Sequence, residues 1–207
     1  GAVAELSRSG KAIGAGVDVA DKAALQGWVA GAAEELGGID ILVPNVSAGG
    51  GQMDENGWRA NLEVDILGTT NAIEAAMPSL QASDSGSIVV IGTTAAVEDF
   101  LGPQTYNAMK AALIVHSQNL AQALAGAGIR VNAVSPGPIM IEGGAWDFIK
   151  NNMAEIYEST LAGQPSGRMG TAEEVANAVA FLASPAASWV TGVNLVVDGG
   201  FTKRIQL

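Results

Sequence analysis

Residues 86–135 read "GSIVVIGTTAAVEDFLGPQTYNAMKAALIVHSQNLAQALAGAGIRVNAVS", and the pattern changes twice along that stretch. "GSIVVIG" (86–92) is a short, mostly β-branched run of the kind buried on both faces of a sheet. From about Thr105 to Ala125 the side chains are small and aliphatic, with no glycine or proline, which predicts a helix. "IRVNAVS" (129–135) is strand-like again, and Pro136, Gly137 and Pro138 end it. A strand, a long helix and a second strand make a crossover unit, and such units pair their strands in parallel.

The same alternation extends outward. "KAIGAGVDV" (11–19) places Ile13, Ala15, Val17 and Val19 on one face and predicts a strand. Asp21 then caps a helix whose Leu25, Val29, Ala32 and Leu36 recur at helical spacing, and Gly37 and Gly38 end it. "IDILVPNVS" (39–47) is predicted as a strand buried on both faces, and a helix from about Trp58 to Ala76 should stop near Pro78. Thr171 and Glu174 have capping-box spacing ahead of Val175 to Leu182, and "VNLVVDGG" (193–200) is the last strand. The expected fold class is therefore α/β, a doubly wound parallel sheet in one domain over 1–207. Met140 to Gly170 is too long for an ordinary connection and carries its own helical pattern in "AWDFIKNNMAEIYESTLA", so it is expected to form a lid. Trp146, Phe148, Ile149, Met153, Ile156 and Tyr157 in it could line a substrate pocket or hold the lid to the body.

Composition narrows function. The formal net charge is −11 over 207 residues, without a basic cluster to follow a phosphate backbone, which argues against nucleic acid as a partner. Cysteine is absent and His116 is the single histidine, so thiolate chemistry and histidine-rich metal sites are excluded, and no metal is expected. No apolar run approaches the roughly 20 residues that cross a bilayer, and the expected protein is soluble and cytoplasmic, with no membrane partner.

Tyr106 and Lys110 stand out within their helix. At i and i+4 they share a face, so the ammonium can approach the phenol and favour its ionised form. Such a tyrosine exchanges a proton with an alcohol or carbonyl oxygen. The spacing alone fits an exposed tyrosine beside a solvated lysine better, because it is short and common. Context adds weight: Thr93 and Thr94 close the strand at 86–92, at the carboxyl edge where open α/β sheets bind ligands. His116 lies well off the face of Tyr106 and is read as structural.

With these motifs in order, the chain resembles the short-chain dehydrogenases/reductases from about residue 11 to the end. The resemblance rests on "DV" at 18–19, "PNVS" at 44–47, "TYNAMKAAL", "IRVNAVSPGPI" and "GVNLVVDGG". It implies an NAD(P)-dependent oxidoreductase acting on a small carbonyl or secondary alcohol. Tyr106 would be the acid/base and Lys110 its partner, which would also hold the nicotinamide ribose. Thr93 would stand for the family's serine and Asp65 for its helix asparagine. The resemblance further implies Asp18 and Val19 by the adenine, Asn45 near the cofactor ribose, and Pro136, Gly137 and the backbone of Ile139 along the nicotinamide, with NAD or NADP as the cofactor. It also implies a homo-oligomer, expected to be a tetramer through the helices containing Trp58 to Ala76 and Thr105 to Ala125.

Several positions depart from that pattern. Asp65 lacks the amide donor of an asparagine. "PNVS" keeps only Asn45 of the family's usual NNAG, Ser47 stands in place of a glycine, and Ile141 falls where many relatives have threonine. No glycine-rich phosphate turn precedes Asp18, and "AGGG" at 48–51 follows the wrong strand for that role. Two expectations follow. The strands at 11–19 and 39–47 should not be neighbours, and the 207 residues should be part of a longer chain whose first β-α-β segment lies upstream and without which cofactor binds weakly. The alternative to an enzyme is a catalytically impaired relative serving as a binding or scaffold protein.

Overall fold

The computed structural model describes residues 2–205. Four strands, β1 (Ile41–Leu42), β2 (Ser87–Ile91), β3 (Arg130–Pro136) and β4 (Asn194–Val197), lie side by side in chain order, and every pair is parallel. Ile88 is opposite Val131 and Val90 opposite Ala133. Because side chains alternate across a strand, Ile88 and Val90 face one layer while Val89 faces the other.

The helices in chain order are α1 (Ala2–Leu6), α2 (Lys22–Leu36), α3 (Glu55–Asn61), α4 (Gly68–Ala82), α5 (Thr105–Leu124), α6 (Ala145–Asn152), α7 (Ala154–Ala162) and α8 (Ala172–Ala183). Leu25 and Val29 of α2, Ile73, Ala76 and Leu80 of α4, and Leu113 and Ala121 of α5 cover Ile88, Val90 and Val131. On the opposite face Leu182 and Ala183 of α8 cover Val89 and Val134. Both faces of β2 and β3 are thereby buried, as their uninterrupted apolar sequence requires. Burial of a side chain such as Ile88, fully inaccessible here, stabilises the fold by about 1.5–3 kcal/mol.

The caps follow the sequence closely. Asp21 accepts from the Ala24 amide at the start of α2, and Gly37 ends it in the left-handed conformation. Thr171 and Glu174 form a reciprocal capping box on α8.

Three expectations are corrected. Residues 11–19 run without helix or strand structure and join no ladder, although Val17 and Val19 pack on the core. Alternation expresses one-sided burial, and a strand also needs a neighbour to bond. The segment at 39–47 pairs as a strand only at Ile41 and Leu42, and Ile41 and Val43 are exposed, so it is not buried on both faces. It is not paired with 11–19, which forms no strand. Finally, the helix before β2 does not stop at Pro78 but runs on to Ala82. Pro78 is exposed, so the carbonyl it leaves unbonded can reach water, while Ala76 and Leu80 on the inner face are fully buried and hold the helix in place.

Between β3 and α8, the stretch 140–170 forms α6 and α7. Trp146 of α6 meets Phe100 at 5.9 Å, and Phe100 meets Phe201 edge-on at 5.6 Å. This aromatic cluster ties α6 to the loop that follows β2.

Candidate active site

All four strands end at one edge of the sheet, and the loops there bring Thr93, Asp65, Tyr106 and Lys110 together. Thr93 follows β2 and caps the short 3₁₀ turn Thr94–Ala96 by accepting from the Ala95 amide at 3.3 Å. Tyr106 and Lys110 stand in the first turns of α5, and the lysine is almost completely buried.

A π-helical turn, Leu62–Leu67, joins α3 to α4, with the Gly68 amide bonded to the Glu63 carbonyl five residues back. Such wide turns redirect side chains and concentrate at functional sites. Asp65 lies within it, at 0% exposure. Its Oδ2 accepts from the Ala48 amide at 3.0 Å and from Asn61 Nδ2 at 3.1 Å, and its Oδ1 is 3.1 Å from Lys110 Nζ. That last contact is an ion pair by distance but is out of line for a hydrogen bond, which leaves Oδ1 without one among the described residues. Lys110 Nζ also donates to the carbonyls of Ile91 at 3.1 Å and Val46 at 3.4 Å.

The ammonium lies over the Tyr106 ring, 5.9 Å from its centroid. On balance the phenol is nonetheless less acidic than an ordinary tyrosine, contrary to expectation. Burial pushes the Tyr106 phenol above its ordinary value of 10.0, the Thr93 hydroxyl opposes this, and the Asp65 carboxylate adds to the rise. Burial is the largest cause of the rise, and the carboxylate beside the ammonium adds to it. The Thr93 hydroxyl lies close enough to interact with the phenol, so a substrate oxygen could meet both hydroxyls.

Two contributors went unread in the sequence. Asn61, at 1% exposure, donates to Asp65 and to the Gly49 carbonyl, and accepts from Thr105 Oγ1 at 2.5 Å. The Gln52 carbonyl, 3.1 Å from the same hydroxyl, is an alternative acceptor for its single proton. Asn61 precedes Asp65 by four positions, and that helical spacing was the available signal.

The remaining predicted positions are dispersed. Ile139 forms a parallel bridge with Gly170: the Met140 amide donates to the Gly170 carbonyl and the Gly170 amide to the Pro138 carbonyl. The N–H and C=O of Ile139 itself have no hydrogen-bond partner among the described residues. Pro136 ends β3, and Gly137 passes so close to Asp198 that a Cβ there would lie 2.6 Å from the aspartate Cβ. Asn45 is exposed, between Pro44, whose carbonyl accepts from Ile91, and Val46, whose carbonyl accepts from Lys110. Asp18 is exposed and accepts from its own Ala20 amide, while Val19 lies against Gly68 at the start of α4. No hydrogen bond ties Asp18, Val19 or Asn45 to the Tyr106 cluster among the described residues.

In the "AGGG" loop the amides of Ala48, Gly49 and Gly51 are spent on Asp65, Ser47 and Gln104. A groove of about 620 Å³ opens beside the cluster, with Met53, Trp58, Asp99, Gln104 and Asn107 in its walls but not Thr93, Tyr106 or Lys110. Among the described residues there is no group of three metal-ligating side chains, and no helix is long and apolar enough to cross a membrane.

Comparison with known proteins agrees over nearly the whole chain. A family model described as enoyl-(acyl carrier protein) reductase matches residues 1–202. Isoepoxydon dehydrogenase of Penicillium expansum is 39% identical over 191 residues, covering 92% of this chain and 74% of that protein. A cis-4-hydroxycyclohexanecarboxylate dehydrogenase of Sinomonas cyclohexanicum is 35% identical over 190 residues, covering 89% and 74% respectively. A solved structure of a candidate short-chain dehydrogenase/reductase from Burkholderia xenovorans is similar with a TM-score of 0.89 at 31% identity, covering 99% of this chain and 81% of that one.

Proposed function

The chain belongs to the short-chain dehydrogenase/reductase family, and from that premise we propose that it exchanges hydride between NAD or NADP and a small carbonyl or secondary alcohol, with Tyr106 moving the proton. The observation that carries this reading is the convergence of Thr93, Tyr106 and the buried Lys110 at the carboxyl edge of the parallel sheet.

A nicotinamide fits the residues present at its reactive end. A carboxamide offers one donor and one acceptor, and Ile139 offers a free N–H and C=O to match. Asn45 and the turn of Pro136 and Gly137 would flank the nicotinamide riboside, and Asp18 and Val19 the adenine. The cofactor supplies the hydride when bound. The side chains do the rest: Thr93 donates a hydrogen bond to the substrate oxygen, and Tyr106 gives that oxygen a proton in reduction or takes one from it in oxidation. Lys110, anchored on two carbonyls, holds a positive charge beneath the site.

The alicyclic alcohol named for the Sinomonas relative favours ring alcohols and ketones for a first substrate panel. Exposed Trp58, Leu62 and Val115 on α3, the π-helical turn and α5 support a homo-oligomer, a tetramer by family resemblance. Light scattering tests it, and a monomeric mass at micromolar concentration counts against it.

The test of the reaction is nicotinamide oxidation or reduction with a panel of cyclic ketones and alcohols, for the parent, Thr93→Ser and Thr93→Val. Turnover that survives the serine and is lost with the valine supports the proposal, and equal activity of the two variants removes Thr93 from it. A second reading, a catalytically impaired binding protein, is favoured by one observation: Asp65 and two carbonyls occupy the ammonium that would otherwise hold a ribose. Folded protein that turns over nothing across the panel supports that reading instead.

A further inference from the structure

Asp65 is fully buried, and the proposed proton transfer has no direct use for its charge. Lys110 Nζ donates to the Ile91 and Val46 carbonyls and lies 3.1 Å from Asp65 Oδ1 as an ion pair. The carboxylate is itself fixed, since Ala48 and Asn61 hold Oδ2 and Asn61 is braced by Thr105. Asp65, 3.1 Å from the ammonium, acts on the phenol with the opposite sign and so weakens the ammonium's effect there.

Three side chains bear on Tyr106. Lys110 comes from its own helix, Asp65 from the π-helical turn, and the neutral Thr93 hydroxyl from the end of β2. The 48–51 loop approaches with the backbone of Gly50 and carries no charge.

We propose, resting on the reading of Tyr106 as the proton-transfer group, that Asp65 is a positioning residue which cancels the charge of Lys110 at the phenol and so keeps Tyr106 protonated, fitting the site to reduce carbonyls through the neutral range. In that direction the carbonyl carbon gains a C–H bond with the hydride of a reduced nicotinamide. The carbonyl oxygen gains an O–H bond as the phenol O–H breaks, and the phenolate recovers its proton from solvent. Alcohol oxidation needs the phenolate first and is correspondingly confined to alkaline solution. Raising of the phenol by burial and by Asp65 agrees with this geometry.

The test needs neither cofactor nor substrate. The chain has two tyrosines, so carbon-13 labelling at Cζ gives two NMR signals, and Tyr106→Phe identifies the one that matters. The parent is compared with Asp65→Asn, Lys110→Met and the double variant, each checked for fold by circular dichroism. The proposal expects the Tyr106 transition to move to lower pH in Asp65→Asn, to higher pH in Lys110→Met, and to return toward the parent in the double variant. A transition in Asp65→Asn at or above the parent's overturns it. Should Asp65→Asn not fold, Lys110→Met decides, and a transition there at or below the parent's overturns it equally. Unchanged turnover in Tyr106→Phe would remove the underlying reading but leave this titration result standing, so the two failures are distinguishable.

Discussion

Residues 87–91 and residues 13–19 are short, apolar segments of similar character, yet one lies at the centre of the sheet and the other joins no ladder. β2 has β1 on one side and β3 on the other, with α5 and α4 over one face and α8 over the other. The segment at 11–19 has core contact through Val17 and Val19 and no strand beside it. Apolar patterning therefore reports which side chains are buried, whereas strand structure depends on a neighbour that the pattern does not name. The candidate site follows the better supported region: Thr93, Tyr106 and Lys110 all lie on β2 or its crossover to β3.

This contrast can be broken by stability measurements with the same change in both places. Ile88→Ala, at a fully buried central position, should cost about 2–5 kcal/mol in denaturant unfolding. Gly92→Ala should cost about 1–3 kcal/mol, because a Cβ there would lie 2.8 Å from Ser135 Oγ and 3.2 Å from Ile114. Ile13→Ala, half-buried and unpaired, should cost about 1 kcal/mol or less. Equal losses for Ile88→Ala and Ile13→Ala would erase the distinction between the regions.

The smallest expected effect is a pH dependence at the cap of α8, the helix on the far face of β2. Hydrogen bonding to Arg168, then to the Thr171 amide, lowers the Glu174 carboxyl from 4.5 to about 2. A carboxyl depressed on folding contributes stability that is complete above its unfolded value and lost as pH falls through its folded one. The difference in thermal midpoint between the parent and Glu174→Gln should therefore be constant above about pH 5 and disappear as pH approaches about 2. A difference that grows on acidification contradicts that sign.

What could be read from the sequence follows the same division. β2, α5, β3, β4 and both capped helices were legible because their burial, length and caps are local properties, written in runs such as "SIVVI" and in the Thr171 and Glu174 spacing. The course of α4 through Pro78 was not, since it depends on Pro78 facing solvent while Ala76 and Leu80 face the core. Within the site, the placing of Thr93, Tyr106 and Lys110 on adjoining elements was legible from order and spacing. The state of the phenol was not, because it depends first on tertiary burial and then on Asp65, forty-one positions before Tyr106 (106 − 65), reaching the lysine through a π-helical turn that no periodicity marks.

The central claim is that Tyr106 carries the proton for a hydride transfer, and steady-state turnover of Tyr106→Phe against the parent, with a cyclic ketone and a reduced nicotinamide, tests it most directly. The substitution removes one hydroxyl and little volume, so the fold and its thermal midpoint should be nearly unchanged while kcat falls by about a hundredfold or more. A variant that keeps its fold and more than about a tenth of the parent rate contradicts the claim.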